Sequence, residues 1–427
     1  MHYEIEKIRN RFPALSIQDR GVSRIYFDNP GGTQVVDTVV ESISKCLIES
    51  NANIGGSFAT SRNASQVLDD AHQAMADFFN SSPDEIIFGQ NMTTLTFHVS
   101  RSIGRLLKAG DEILLSRMDH DANISPWLLL AEDLQLKIKW LPFNPDTYEF
   151  DLEMLDEILT ERTKLVCIGG ASNLTGTIND VKTISTKARD LGAISFIDAV
   201  HLAPHVSIDV QDIDCDFLVC STYKFFGPHL GVLWGRKKIL ELLEPYKVRA
   251  APSIIPSGYE TGTQNHEGMA GTVATIDYFA WVGKKMAADY YTKNKNYRGR
   301  TKFIYAALDY FLEYENILTS RLIEGLNQLQ NLQIHGIQNK EDLSRRVPTI
   351  SFTVKGITSK IIAEKLGKEN IFVWNGDMYA VEAIKDLGIH ESSGVVRVGA
   401  VHYNTIEEVD NFLNALETIL VCHSKWH

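Results

Sequence analysis

Lys224 stands in CSTYKFFGPHLGVLWG (220–235), where an apolar strand gives way to a Gly-Pro turn. A lone lysine is usually a solvated surface residue. This one has hydroxyls beside it at Ser221, Thr222 and Tyr223, and the rings of Phe225 and Phe226 follow. Apolar neighbours desolvate an amine and favour its neutral, nucleophilic form. Upstream, Asp198 ends the apolar run ISFID in ISFIDAVHLAPH (194–205). Ligands of α/β sheets bind beyond the carboxyl ends of the strands. A carboxylate there could pair with a pyridinium nitrogen and keep it protonated, so that the ring withdraws electrons from a carbanion at a substrate α-carbon. The plain alternative for Asp198 is a helix cap.

Two further segments fit that chemistry. FGQNMTTLTFHVSRSI (88–103) sets Asn91, Met92, Thr93 and Thr94 between a strand and a helix. Backbone amides at a helix start, with threonine hydroxyls, can hold a phosphate, although Thr93 or Thr94 could equally be a simple cap. SRMDHDANISPW (116–127) puts His120 just after the strand DEILLS. An imidazole at that edge could stack on a planar ring and exchange protons, whereas most lone histidines are structural.

These residues need a sheet to carry them. From about residue 65, amphipathic helices alternate with short β-rich runs, which predicts a mostly parallel sheet covered by helices. SQVLDDAHQAMADFF (65–79) reads as a helix, and another starts near Thr93. EIIFG, DEILLS, KIKWLP, KLVCIGG, AISFID, CDFLVCS and GVLWG read as strands. The charged stretch KKMAADYYTKNKNYRGRTK leads towards a long helix, and a smaller α+β unit follows with TISFTV, IFVWNG and VVRVGA as strands. The expected division is a large α/β domain over 21–290 and a small domain from 1–20 with 291–427.

Composition limits the function classes. The 427 residues carry 42 Lys plus Arg against 54 Asp plus Glu, a formal charge of −12 that disfavours nucleic acid as a partner. The amino terminus MHYEIEKIRNRF places Glu4, Glu6 and Lys7 where an export signal needs apolar residues, and apolar runs such as WLLLA (127–131) are too short to cross a bilayer. A cytoplasmic address and no membrane partner are expected. Cys46, Cys167, Cys215, Cys220 and Cys422 lack the paired spacing of a metal or redox motif, so no metal is expected and all five read as buried thiols.

Taken together, Asp198, Lys224, the Thr93-Thr94 turn and MDHDANISPW resemble the class V aminotransferase superfamily, and within it the cysteine desulfurase and selenocysteine lyase branch. YFDNPGGTQ (26–34), SNLTGT (172–177), ETGTQNHEG (260–268) and VVRVGAVHYNTIEEVD (395–410) extend the likeness over nearly the whole chain. The resemblance implies the type I pyridoxal-phosphate fold, a mostly parallel sheet of seven-stranded type with a smaller α+β domain. It implies a Schiff base on Lys224, pairing of Asp198 with the pyridine nitrogen, and stacking of His120 on the ring. Asn173 would face the phenolic oxygen, and Met92, Thr93, Thr94 and Ser221 would surround the phosphate. Thr263 would reach the neighbouring active site of a homodimer. Arg397 would grip the substrate's α-carboxylate, with Asn29 also on the substrate side.

The departures concern the outcome of the reaction. Tyr379, in VWNGDMYAVEA (373–383), stands where desulfurases of this branch carry a sulfur-accepting cysteine. Trp374 replaces a common arginine, His201 a glutamine that contacts the cofactor, and Tyr223 the histidine before the lysine. Trp374, Asn375, Asp377 and Tyr379 should shape the side-chain pocket and favour a polar substrate. The expected activity acts on an amino acid through an external aldimine and α-carbanion. It is a carbon–sulfur, carbon–selenium or other β-lyase without a persulfide cysteine. Class V transamination and amino-acid epimerisation are the alternatives, and a noncatalytic scaffold has no need of Lys224, Asp198 and Arg397 together. The chain lacks the glycine-rich motifs of a nucleotide-binding enzyme.

Overall fold

The computed structural model describes residues 3–389 and 393–424. Residues 1–2, 390–392 and 425–427, which belong to the expected small domain, lie outside them.

Seven short apolar runs pair into one sheet. They are β1 (Ile86–Gly89), β2 (Glu112–Ser116), β3 (Lys137–Leu141), β4 (Thr163–Gly169), β5 (Ile194–Asp198), β6 (Phe217–Ser221) and β7 (Gly231–Gly235). Their order is β1-β7-β6-β5-β4-β2-β3, with β7 antiparallel to both neighbours. Period-two alternation sends side chains to two separate cores. Leu114, Val166, Ile168, Ile197 and Leu218 enter one, while Ile113, Leu115, Leu165, Phe196 and Phe217 enter the other. Burial on both faces explains why these strands read as continuous apolar runs. Only the edge strand β3 alternates lysines, Lys137 and Lys139, with apolar residues.

The second sheet is β8 (Leu332–His335), β9 (Thr349–Val354), β10 (Trp374–Gly376) and β11 (Val395–Gly399), in the order β8-β9-β11-β10. One face, with Ile350, Phe352, Val396 and Val398, forms a third core against helices. The alternate positions, Ser351 and Arg397, therefore face away from that core and towards the large sheet. IFVWNG splits in two, because Ile371–Phe372 pairs with Ile25–Tyr26 while Trp374–Gly376 pairs with β11.

The long helix Gly299–Leu326 joins the two halves: Ile304, Tyr305 and Phe311 pack in the large core, and Leu318, Leu322 and Leu326 in the small one. The first residues thread through both. Ile8 and Phe12 join the large core, while Ile25 and Phe27 join the small one, drawn there by the pairing with 371–372. Cys422 is exposed, contrary to the expectation of burial, because it lies on an outer face of the final helix; the other four cysteines are buried. Among the described residues no helix is long and apolar enough to cross a membrane.

Candidate active site

The carboxyl ends of β2, β4, β5 and β6 and the inward face of β10–β11 enclose a cavity of about 350 Å³. Met92, Thr93, His120, Asn173, Asp198, His201, Tyr223, Lys224, Trp374, Asn375, Tyr379 and Arg397 all line it.

β6 ends at Ser221, and a single turn of helix, Thr222–Lys224, swings the lysine into the cavity. Its Nζ donates to the carbonyl of Pro30 at 2.6 Å. Burial, reinforced by Arg397, brings the amine down to about 7. Asp198 closes β5 and accepts from the Val200 amide at 2.9 Å. Burial raises its carboxyl to about 7, against the lowering effects of the Val200 amide and of Lys224. The pair thus sits where each group's charged form is held in check by desolvation and would be restored by a partner.

His120 accepts from the Ala122 amide through Nδ1 at 3.0 Å, so Nε2 carries the proton in its neutral form. Burial, aided by Lys224 and Arg397, lowers it to about 4. Its loop is fixed by Asp119, which accepts from Ser116 Oγ at 2.5 Å, Asn123 Nδ2 at 2.8 Å and the Gly169 amide at 3.0 Å. Asp119 also lines the cavity, and burial raises it to about 6. Sequence reading passed over this acid; its place at a strand end beside His120 was the available signal.

On the opposite wall, Arg397 donates to the carbonyl of Asn173 at 2.9 Å, and its Nε is buried without a hydrogen-bond partner among the described residues. The Asn173 amide donates to the Met378 carbonyl at 2.8 Å, which leaves Oδ1 buried and unpartnered. His201 bonds Thr349 Oγ1 at 2.8 Å, and burial holds it well below the usual histidine range. Tyr223 stacks on His229, 4.8 Å between centroids.

Four expected residues stand outside this lining. Ser221 lies one bond behind it, accepting the Met92 amide at 3.0 Å at the start of helix 92–104. Thr94 is exposed and donates through both amide and hydroxyl to the capping Asn91 side chain. It shares a second groove, of about 560 Å³, with Thr263, His98 and His229. Asn29 is spent within the fold: its amide donates to the Tyr26 and Gly399 carbonyls and to Asn404, while its oxygen accepts from the Tyr403 hydroxyl.

The arrangement brings a desolvated lysine, a buried acid at the sheet's carboxyl edge, an imidazole plate, a helix amino terminus and an arginine with a spare donor to one cavity. Residues 25–412 match the family described as aminotransferase class-V. The chain belongs to that family. The class-V likeness extends along its length: the aminotransferase-like protein FGM3 of Gibberella zeae is 33% identical over 98% of this chain and 99% of its own. A probable cysteine desulfurase of Synechocystis is 31% identical over 97% and 95%. The apo structure of a cysteine desulfurase from Thermococcus onnurineus superposes with a TM-score of 0.86 at 27% identity, covering 99% of each chain.

Class-V enzymes use pyridoxal phosphate, and this chain is a pyridoxal-phosphate-dependent lyase or aminotransferase. The donor set fits the group. A neutralisable amine, an acid at the carboxyl end of β5, buried polar atoms on Asn173 and Arg397 unpartnered among the described residues, and a helix start at Met92–Thr93 would suit an aldehyde, a pyridine nitrogen, polar substituents and a phosphate in turn. The family acts on small amino-acid substrates and commonly forms dimers.

Proposed function

We propose that this enzyme is a cysteine desulfurase-like β-lyase that cleaves a carbon–sulfur, carbon–selenium or similar bond at the β-carbon of an amino acid without passing the group to a cysteine of its own. Pyridoxal phosphate, when bound, supplies the electron sink that stabilises negative charge at the substrate's α-carbon. In this reading Lys224 is the attachment point, and its Nζ then takes the α-proton as a neutral amine. Asp198 keeps the ring nitrogen protonated, and His120 covers the ring. His201 and Tyr223 flank it, Asn173 meets its phenolic oxygen, and Met92, Thr93, Thr94 and Ser221 hold the phosphate. Arg397 binds the α-carboxylate in bidentate fashion, and Trp374, Asn375 and Tyr379 bound the side chain. Asn29 acts on this side through the turn it fixes.

The observation that carries the lyase reading is Tyr379. It sits on the loop over the cavity, its ring 5.5 Å from that of His120, and no cysteine lines the cavity among the described residues. The remaining parts of the reading are a homodimer whose Thr263 reaches the neighbouring site, a cytoplasmic address, and a division into a cofactor domain over 21–290 and a small domain from 1–20 and 291–427.

The test is an absorption spectrum of the purified protein, followed by a panel of amino acids with assays for sulfide, selenide, pyruvate, alanine and keto acids. A cofactor band that shifts with one substrate while pyruvate accumulates with the released thiol or selenol, or alanine accumulates when an added thiol accepts the sulfur, supports the lyase. Consumption of a keto-acid acceptor without either product points to transamination. Lys224→Ala should reduce turnover by roughly 10³-fold or more, the upper range for loss of an acid–base group.

A further inference from the structure

The charges around the cavity are uneven. Among the described residues only two side chains lining it are cationic, Lys224 and Arg397, and the reading above commits both, one to the cofactor and one to the α-carboxylate. The histidines lining it, His120 and His201, are held neutral by burial. Against them stand three acids. Asp119 and Asp198 belong to the inner wall, buried and bonded to backbone amides. The third, Asp377, lies at the mouth and is exposed.

Asp377 forms no ion pair among the described residues. Its Oδ1 accepts the Tyr379 amide at 2.9 Å, which fixes the turn in which Met378 and Tyr379 both take left-handed φ, 58° and 55°. That turn is also tied to the large sheet, since Met378 accepts from Asn173 and the Tyr379 carbonyl accepts the Asp121 amide at 2.7 Å. Two aromatic rings share the mouth. Trp374 pairs directly with Arg397 across β10–β11, so both stand on one face. Its indole donates to the Asp28 carbonyl at 3.1 Å and packs on Gly31, where an added Cβ would lie 2.0 Å from Nε1. Trp374 is nonetheless 48% exposed, and Tyr379 68%. Large rings left open to solvent beside an unpaired carboxylate make a surface complementary to a positive charge.

We infer that the substrate is an α-amino acid whose β-carbon carries the leaving group and whose side chain ends in a cation, an ammonium or a guanidinium, received by Asp377 with Trp374 and Tyr379 beside it. A side-chain carboxylate would meet Asp377 with no free cation among the described lining residues to offset it, so acidic amino acids are disfavoured. The inference rests on the placement of the cofactor on Lys224 and of the α-carboxylate on Arg397.

The experiment is binding calorimetry on the pyridoxal-phosphate-loaded protein with L-lysine, L-arginine, L-norleucine and L-glutamate, which lack a β leaving group and so report binding of the side-chain terminus alone, while the visible cofactor band is followed in parallel. L-lysine or L-arginine should bind roughly tenfold more tightly than L-norleucine, the order expected of a partly solvated ion pair with an aromatic face, and L-glutamate more weakly still. Added salt should narrow the preference. Asp377→Asn should remove it without altering the cofactor band. Equal binding of lysine, arginine and norleucine overturns the inference, as does a preference that survives in Asp377→Asn or is insensitive to salt. Failure of the protein to develop any cofactor band overturns the functional reading itself, and the inference with it.

Discussion

Arg397 reaches from the small sheet to donate through Nη1 to the backbone carbonyl of Asn173, 2.9 Å away, on the loop that follows β4 of the large sheet. Its Nε stays buried and unpartnered among the described residues, and the nearby Asp28 is lifted to about 6 by burial. A guanidinium held by one edge offers the rest of its fork to a carboxylate.

Arg397→Lys keeps a positive charge and loses the fork. Substrate KM should rise about tenfold or more, the equivalent of one charge-assisted hydrogen bond, with a smaller change in kcat. Steady-state kinetics on the substrate identified from the amino-acid panel provide the measurement.

Lys224 gives a pH prediction with a definite sign. Its neutral form is the nucleophile, and burial brings its pKa down to about 7. The rate of pyridoxal-phosphate uptake by cofactor-free protein should therefore climb as pH rises through about 7 and level off above it. A rate still climbing steeply at pH 9 to 10 would indicate an ordinary, solvated lysine.

Asp198 carries a cost in the cofactor-free protein. Burial raises its folded pKa to about 7, so between the ordinary carboxylate range and about 7 the folded state binds more protons than the unfolded chain. Its contribution to stability is present below the unfolded pKa, about 4, and is lost as pH rises through the folded one. Asp198→Asn should raise the Tm of the cofactor-free protein by on the order of 2 °C at pH 8, with little change at pH 4, while weakening cofactor retention. Thermal melts at both pH values read the difference.

Arg346 is fully buried and has no carboxylate partner among the described residues; its guanidinium donates to the carbonyls of Thr175, Ile337, Val347 and Thr349. It thereby fastens the turn containing Asn173 to β9. Arg346→Ala would orphan those carbonyls and should destabilise the protein by about 3 kcal/mol or more. Gly176→Ala tests the same junction from the other side. Gly176 has φ +78°, and an added Cβ would lie 2.6 Å from the Thr349 carbonyl, so a loss of about 1–3 kcal/mol is expected. Denaturant midpoints measure both.

Strand positions were legible where apolar runs were short and bounded by turns: GVLWG and TISFTV match β7 and β9 residue for residue. The helix expected at 65–79 begins earlier, at Ala59, because its first turns are too polar to show the period. IFVWNG has the pattern of one strand, and its break at Val373 follows from two partners distant in sequence. Asn29 illustrates a different limit. Its motif was visible, but its amide is consumed by Tyr26, Gly399 and Asn404, two of which lie some 370 residues away, and no local pattern predicts such partners.

The sequence by itself determined the class of sheet, the family, and the placement of Lys224, Asp198 and His120 at strand ends, because strand periodicity and local chemistry are properties of neighbouring residues. The tertiary structure alone decided which groups meet. It brought Arg397, Trp374 and Asp377 across from a second sheet, buried Lys224 and Asp198 far enough for desolvation to outweigh their mutual attraction, and tied Asp119 to the Gly169 amide of the neighbouring strand. Burial and long-range contact depend on how cores close around one another, and that information is spread over the whole chain.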